Sequence, residues 1–170
     1  MAPASPPVET LWAALDTVLD PEVPALSVVE LGIVRDIAVH ADGVEVTVTP
    51  TYSGCPAMHT IERDILAALE RAGARNPRLR TVYAPAWTTD WMTNAAREKL
   101  RGYGIAPPGA REATGDVLVH LLRRTPEAPV PCPYCGSSAT ELRSEFGPTA
   151  CKAIRFCTSC IQPFEQFKAI

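Results

Sequence analysis

Two Cys-x-x-Cys pairs constrain this chain more than any other feature. Cys132 and Cys135 form the first in "CPYCG", and Cys157 and Cys160 form the second in "CTSC". Two residues between thiols let both sulfurs face one ion from a single tight turn. Two such turns complete a tetrahedron with metal–sulfur bonds of ~2.3 Å. The 21 residues between the pairs, Gly136 to Phe156, match the spacing of a metal ribbon. A segment of about 40 residues cannot bury enough apolar surface to fold unaided, so the metal would take the place of a core.

Zinc is the expected ion, in a structural role, because all four positions are filled. Iron on the same thiolates is the alternative, since "CPYCG" resembles one half of a rubredoxin site. Ferric iron would colour the protein red, whereas zinc would leave it colourless. Cys151, in "GPTACKA", is a fifth thiol of the module. It is either a spare structural residue or a second exposed thiol activated by Lys152.

The rest of the chain reads as a small layered domain. Hydrophobic residues make up 46% and charged residues 21%, which is ordinary for a globular protein. Val8, Leu11, Trp12, Leu15, Val18 and Leu19 recur at helical spacing, between Ser5-Pro6 and Asp20-Pro21. Ile33, Ile37 and Val39 fit one face of a strand, and Asp42-Gly43 fits a turn. Val44, Val46 and Val48 then alternate with polar residues. Met58, Ile61, Ile65, Leu69 and Ala72 form the stripe of a second helix ended by Gly73. "RLRTVYA" reads as a third strand, and "TTDWMTNAAREKLRGYG" as a third helix capped by Thr88 or Thr89.

The expected class is therefore α+β: helix, β-hairpin, helix, strand, helix, then the ribbon. The expected organisation is a tail over 1–7, a domain over 8–125, a linker over 126–131 and the ribbon over 132–170. "DVLVHLL" adds a strand or a docking segment. The first residues carry no secretory pattern, and no stretch approaches about 18 apolar residues, so a cytoplasmic protein without a membrane span is expected. A net charge of −3 argues against a nucleic-acid partner.

One cysteine stands apart. Cys55, in "GCPAMHT", precedes Pro56 at the start of the second helix. Backbone N–H groups at a helix start favour thiolate, the form that attacks and ligates. Composition by itself nonetheless favours a buried, inert cysteine. His59 reads as a surface residue, and His40 and His120 receive no role.

The segments "LDPEVPALSVVELGIVRDI", "VTVTPTYSGCPAMHTIERDI" and "APAWTTDWMT" resemble the MIP18 family, the DUF59 domain, over roughly residues 8–105. "CPYCGSSATELRSEFGPTACKAIRFCTSCIQPFEQFKAI" resembles the zinc ribbon of the PaaD family of phenylacetate degradation. That ribbon often ends in F-K-C, whereas this chain has Phe167-Lys168-Ala169.

The resemblance implies an accessory, non-catalytic role beside the multicomponent phenylacetyl-CoA epoxidase, assisting iron–sulfur cluster or diiron-centre assembly. It implies that Cys55 is the functional thiol, reversing the reading from composition. A transient cluster would be its cargo, and Cys151 is a second candidate ligand. Asp20, Glu22, Glu30, Thr51, Trp87 and Thr88 would support the Cys55 site. The implied partners are oxygenase or reductase subunits, iron–sulfur assembly factors and a second copy of the chain. A rubredoxin-like electron carrier is the alternative.

Overall fold

The computed structural model describes residues 5–52, 54–109 and 129–170. The "DVLVHLL" segment, His120, Ser53 and the first half of the expected linker lie outside them. The chain divides into two compact units, Met1–Lys99 and Leu100–Ile170.

The first unit begins with α1 (Val8–Leu15), which buries Leu11 and Leu15 completely. This helix is shorter than its apolar pattern predicts. It caps at Asp16, Val18 is buried from the following turn, and Leu19 is exposed. Leu19 instead forms an isolated bridge with Ser27. The hairpin follows as β1 (Val34–Val39) and β2 (Val44–Val48), closed by bonds between His40 and Gly43. A bulge between Val34 and Asp36 shifts the register. Ile33 and Ile37 are buried as expected, but Val39 is 45% exposed at the strand end.

Next come α2 (Met58–Arg71) and β3 (Arg78–Thr81). The sheet order is β1-β2-β3, with β1 antiparallel and β3 parallel to β2. β2 is thus the central strand, and Val44, Val46 and Val48 are fully buried. The buried stripe of α2 is Met58, Ile61, Ile65, Ala68 and Leu69. Ala72 is the C-cap rather than part of the stripe.

The single helix expected after Trp87 is two pieces. Thr88 caps a 3-10 turn, Thr89–Trp91, by accepting from Asp90 N–H. Met92 is then extended, and α3 (Asn94–Gly102) starts afresh with Thr93 Oγ1 accepting from Ala96 N–H. Short polar side chains at both starts give the backbone these local alternatives to one continuous helix.

The second unit is a four-stranded sheet in the order β4-β7-β6-β5. Its strands are β4 (Ile105–Ala106), β5 (Thr140–Ser144), β6 (Lys152–Cys157) and β7 (Gln162–Phe167). β6 is antiparallel to both neighbours, and β4 runs parallel to β7. A small core joins Ala106, Val130, Phe164 and the cysteines Cys132 and Cys157, with Cys160 packed against it. Nearly half of that core is thiol, which fits a unit held by a metal.

Candidate metal centre and the Cys55 loop

The four ribbon cysteines converge. The first turn is closed by Cys132 N–H on Ser137 C=O and Gly136 N–H on Cys132 C=O, both 2.9 Å. Gly136 sits at φ +75°, a conformation glycine adopts freely. The second turn follows β6, and Ile161 leaves it at φ +57°. The two turns touch through Ser137 and Ser159, whose hydroxyls are 2.7 Å apart.

All four sulfurs lie within 4.8 Å of one another. Cys132–Cys160 is 3.7 Å and Cys135–Cys157 is 3.6 Å. A tetrahedron with bonds of ~2.3 Å has edges of ~3.8 Å, whereas a disulfide would bring sulfurs to ~2.05 Å. The spacing is that of a metal site. Backbone N–H groups of Cys160 and Ser159 pull the Cys157 thiol down to about 6. Burial, with the neighbouring thiols, pushes Cys160 up to about 12. Four thiols so close cannot all ionise unless a cation shares their space, and a coordinated cation deprotonates them outright. The donor set therefore fits a closed four-thiolate metal ion with no coordination position left for chemistry.

Cys55 lies in the other unit, in the connection from β2 to α2. Thr49 N–H holds the exit of β2 by donating to Ile33 C=O at 2.8 Å. Thr51 and Tyr52 are half-buried, and Gly54 is exposed at φ +84°. Cys55 is half-buried. Its N–H donates to Tyr52 C=O at 3.3 Å, and its C=O accepts from Met58 N–H at 3.2 Å. Among the described residues its sulfur has no hydrogen-bond partner. The N-cap of α2 is Ala57, so Cys55 stands two residues before the cap rather than capping the helix itself. The loop leaves the C-terminal end of β2, beside parallel β3, where open α/β sheets place their sites.

Asp20, Glu30 and Trp87, among the other expected site residues, hold backbone groups in place. Asp20 Oδ1 accepts from the N–H groups of Glu22 (2.8 Å) and Val23 (2.7 Å), forming an Asx turn, and Glu22 is half-buried. Glu30 and Ser27 form a reciprocal capping box: Ser27 N–H donates to Glu30 Oε2 and Glu30 N–H to Ser27 Oγ, both at 3.1 Å. Glu30 Oε1 also pairs with Lys99 at 2.6 Å. No hydrogen bond among the described residues joins Glu30 to Cys55. Trp87 is buried, and its Nε1–H donates to Leu31 C=O at 3.0 Å. His59 is exposed.

Cys151 is buried, with its sulfur 3.1 Å from Thr149 Oγ1. Lys152 is also buried and turns to Glu165 at 2.9 Å. The idea of an exposed thiol beside Lys152 is thereby corrected: Cys151 is buried, and Lys152, the first residue of an interior strand, is engaged by Glu165. The Ser27–Glu30 box was missed in the sequence, although S-V-V-E carries its S-x-x-E signature.

Comparison with known proteins follows the same two-part division. The "PaaD zinc beta ribbon domain" family profile matches residues 119–168, and the "Iron-sulfur cluster assembly protein" profile matches residues 9–76. A curated relative from Escherichia coli (strain K12) is 45% identical over 167 residues, covering 98% of this chain and 96% of the relative. Its provisional name makes it one of the subunits of 1,2-phenylacetyl-CoA epoxidase. The chain belongs to the PaaD family. An "Fe-S protein maturation auxiliary factor" from Porphyromonas gingivalis is 35% identical over 94 residues, covering 54% of this PaaD-family chain and 89% of the relative. A DUF59 domain crystal structure from Bacillus anthracis superposes with a TM-score of 0.51 at 28% identity, covering 54% of this chain and 89% of that one. A Thermotoga maritima structure gives 0.50 at 32% identity, covering 58% and 97%. The PaaD-family chain thus joins an assembly-type domain to a metal ribbon. Among its described residues, no helix is long and apolar enough to cross a membrane.

Proposed function

We propose that this chain is a non-catalytic accessory subunit of a multicomponent phenylacetyl-CoA epoxidase, acting in the cytoplasm to help install an iron–sulfur cluster or diiron centre in a partner. The partner is an oxygenase or reductase subunit, reached with iron–sulfur assembly factors. The domain expected over 8–125 handles the cargo, and the ribbon expected over 132–170, joined by 126–131, holds one zinc ion as a fixed structural centre.

The observation that carries the reading is the contrast between the two thiol populations. Four sulfurs are committed to one another at metal-site distances, with no open position. Cys55 is half-buried on a loop at the C-terminal end of β2, with no hydrogen bond to its sulfur among the described residues. One thiolate cannot retain a cluster that takes four ligands, so cargo held there needs ligands from a partner and passes on. Asp20, Glu30, Trp87 and Thr88 serve this reading by fixing segments of the same unit through their hydrogen bonds, and Glu22 and Thr51 lie half-buried in it.

The test is maturation of the epoxidase in cells. Epoxidase components purified from cells lacking the chain are expected to carry less iron, restored by the intact chain and not by Cys55→Ser. Full iron occupancy without the chain would refute the assembly role. Full restoration by Cys55→Ser would refute the role of the thiol.

A further inference from the structure

The sheet of the second unit ends in a strand whose charges complement themselves. β5 pairs with β6 on one side, and among the described residues no strand lies along its other side. Glu141, Leu142, Arg143 and Ser144 are all exposed. Thr158 N–H donates to Ala139 C=O just beyond the strand ends. By the alternation of an antiparallel ladder, Glu141 then exchanges bonds with Phe156, and the N–H and C=O of Leu142 point to the open edge. Arg143 is the extra residue of a bulge between the pairs Leu142–Arg155 and Ser144–Ile154. Glu141 and Arg143 share a face: they pair at 3.1 Å, and Arg143 lies over the Phe156 ring at 5.0 Å.

Bulges and charges keep a sheet edge from adding strands indiscriminately. The order of residues in β5 leaves one exception, which is β5 itself. Two copies laid antiparallel about a two-fold axis at Leu142 bring Leu142 against Leu142 and each Glu141 against the other copy's Arg143. The outward N–H and C=O groups of the two Leu142 residues then form one rung of a ladder. β3, an edge of the other sheet, lacks this symmetry. Its Arg78 and Arg80 would meet each other, and the acids that pair with them, Asp42 and Glu45, belong to other segments.

We propose that the chain self-associates through β5, joining two four-stranded sheets edge to edge, with the Glu141–Arg143 pairs setting the register. A five-residue strand pair buries less than the ~1,200 Å² of a stable interface, so the dimer is concentration-dependent.

Sedimentation equilibrium of the full chain from about 5 to about 500 μM measures the association. The wild-type mass is expected to rise from one chain towards two. E141R and R143E each set like charges opposite one another and are expected to raise the dissociation constant about tenfold or more. The doubly swapped E141R/R143E restores self-association, and E141R mixed with R143E gives a heterodimer. Unchanged metal content in each variant verifies the ribbon. A wild-type mass of one chain at every concentration overturns the proposal. So does a dimer that E141R leaves unchanged, which would place self-association on another surface.

Discussion

Gly32→Ala probes how the first unit holds the segment that leads into β1. Gly32 has φ +73°, and a Cβ there would lie 2.9 Å from Trp91 Cβ and 3.0 Å from the Trp91 carbonyl oxygen. The left-handed conformation alone costs an alanine about 1–2 kcal/mol. Pressing a methyl group into neighbouring backbone adds about 1–3 kcal/mol. Gly54 supplies the control, because it has φ +84° and nothing within 4 Å of an added Cβ. Gly54→Ala should therefore cost only the conformational part, about 1–2 kcal/mol. Trp12, Trp87 and Trp91, all three tryptophans of the chain, lie in the first unit, so tryptophan fluorescence during urea unfolding reports on that unit. The expected result is a midpoint for Gly32→Ala lower than that for Gly54→Ala by about 1 M urea. Equal midpoints would refute the argument that the approach of Trp91, rather than backbone conformation, decides the cost.

Three other perturbations test separate features of the molecule. Cys157→Ala should lose the ribbon metal and leave β5–β7 unprotected in hydrogen exchange, and retention of one metal per chain would contradict the four-thiolate centre. Ser27→Ala breaks the capping box with Glu30 and should cost about 1 kcal/mol in the same urea titration. Asp42 has its pKa lowered first by the hydrogen bond from Arg78 and then by that residue's charge. Its contribution is present above the unfolded pKa of about 3.9 and is lost as pH falls through the folded value, so Asp42→Asn should flatten the acid limb of the stability profile.

The parts of the fold that could be read in the sequence were those governed by one dominant periodicity. Val44, Val46 and Val48 are buried because β2 is central, and their alternation with Glu45 and Thr47 is plain in the sequence. The stripe of α2 is visible for the same reason. Misreadings arose where a local hydrogen bond or an edge position competes with the pattern. Val39 belongs to the strand but lies at its exposed end. Leu19 continues a helical pattern after the helix has stopped. Thr88 and Thr93 each start a separate turn, so one predicted helix is two pieces. Ile105 and Ala106 join the ribbon sheet through β7, a pairing across about sixty residues that no local pattern announces.

At the site, Cys-x-x-Cys spacing encodes geometry directly, so the four-sulfur cluster was legible. The duties of Asp20 and Glu30 were legible too, because both act on backbone groups two or three residues away, but reading them as site residues drew attention from those local turns.

The proposed division between permanent and exchangeable metal-binding thiols is tested most directly by metal analysis of protein purified without oxygen, with and without Cys55→Ser. About one zinc per chain is predicted in both proteins, with iron and its visible absorption present in the intact chain and absent from Cys55→Ser. Equal iron in the two would contradict that division, and a red chromophore seated on Cys132, Cys135, Cys157 and Cys160 would favour an electron carrier instead.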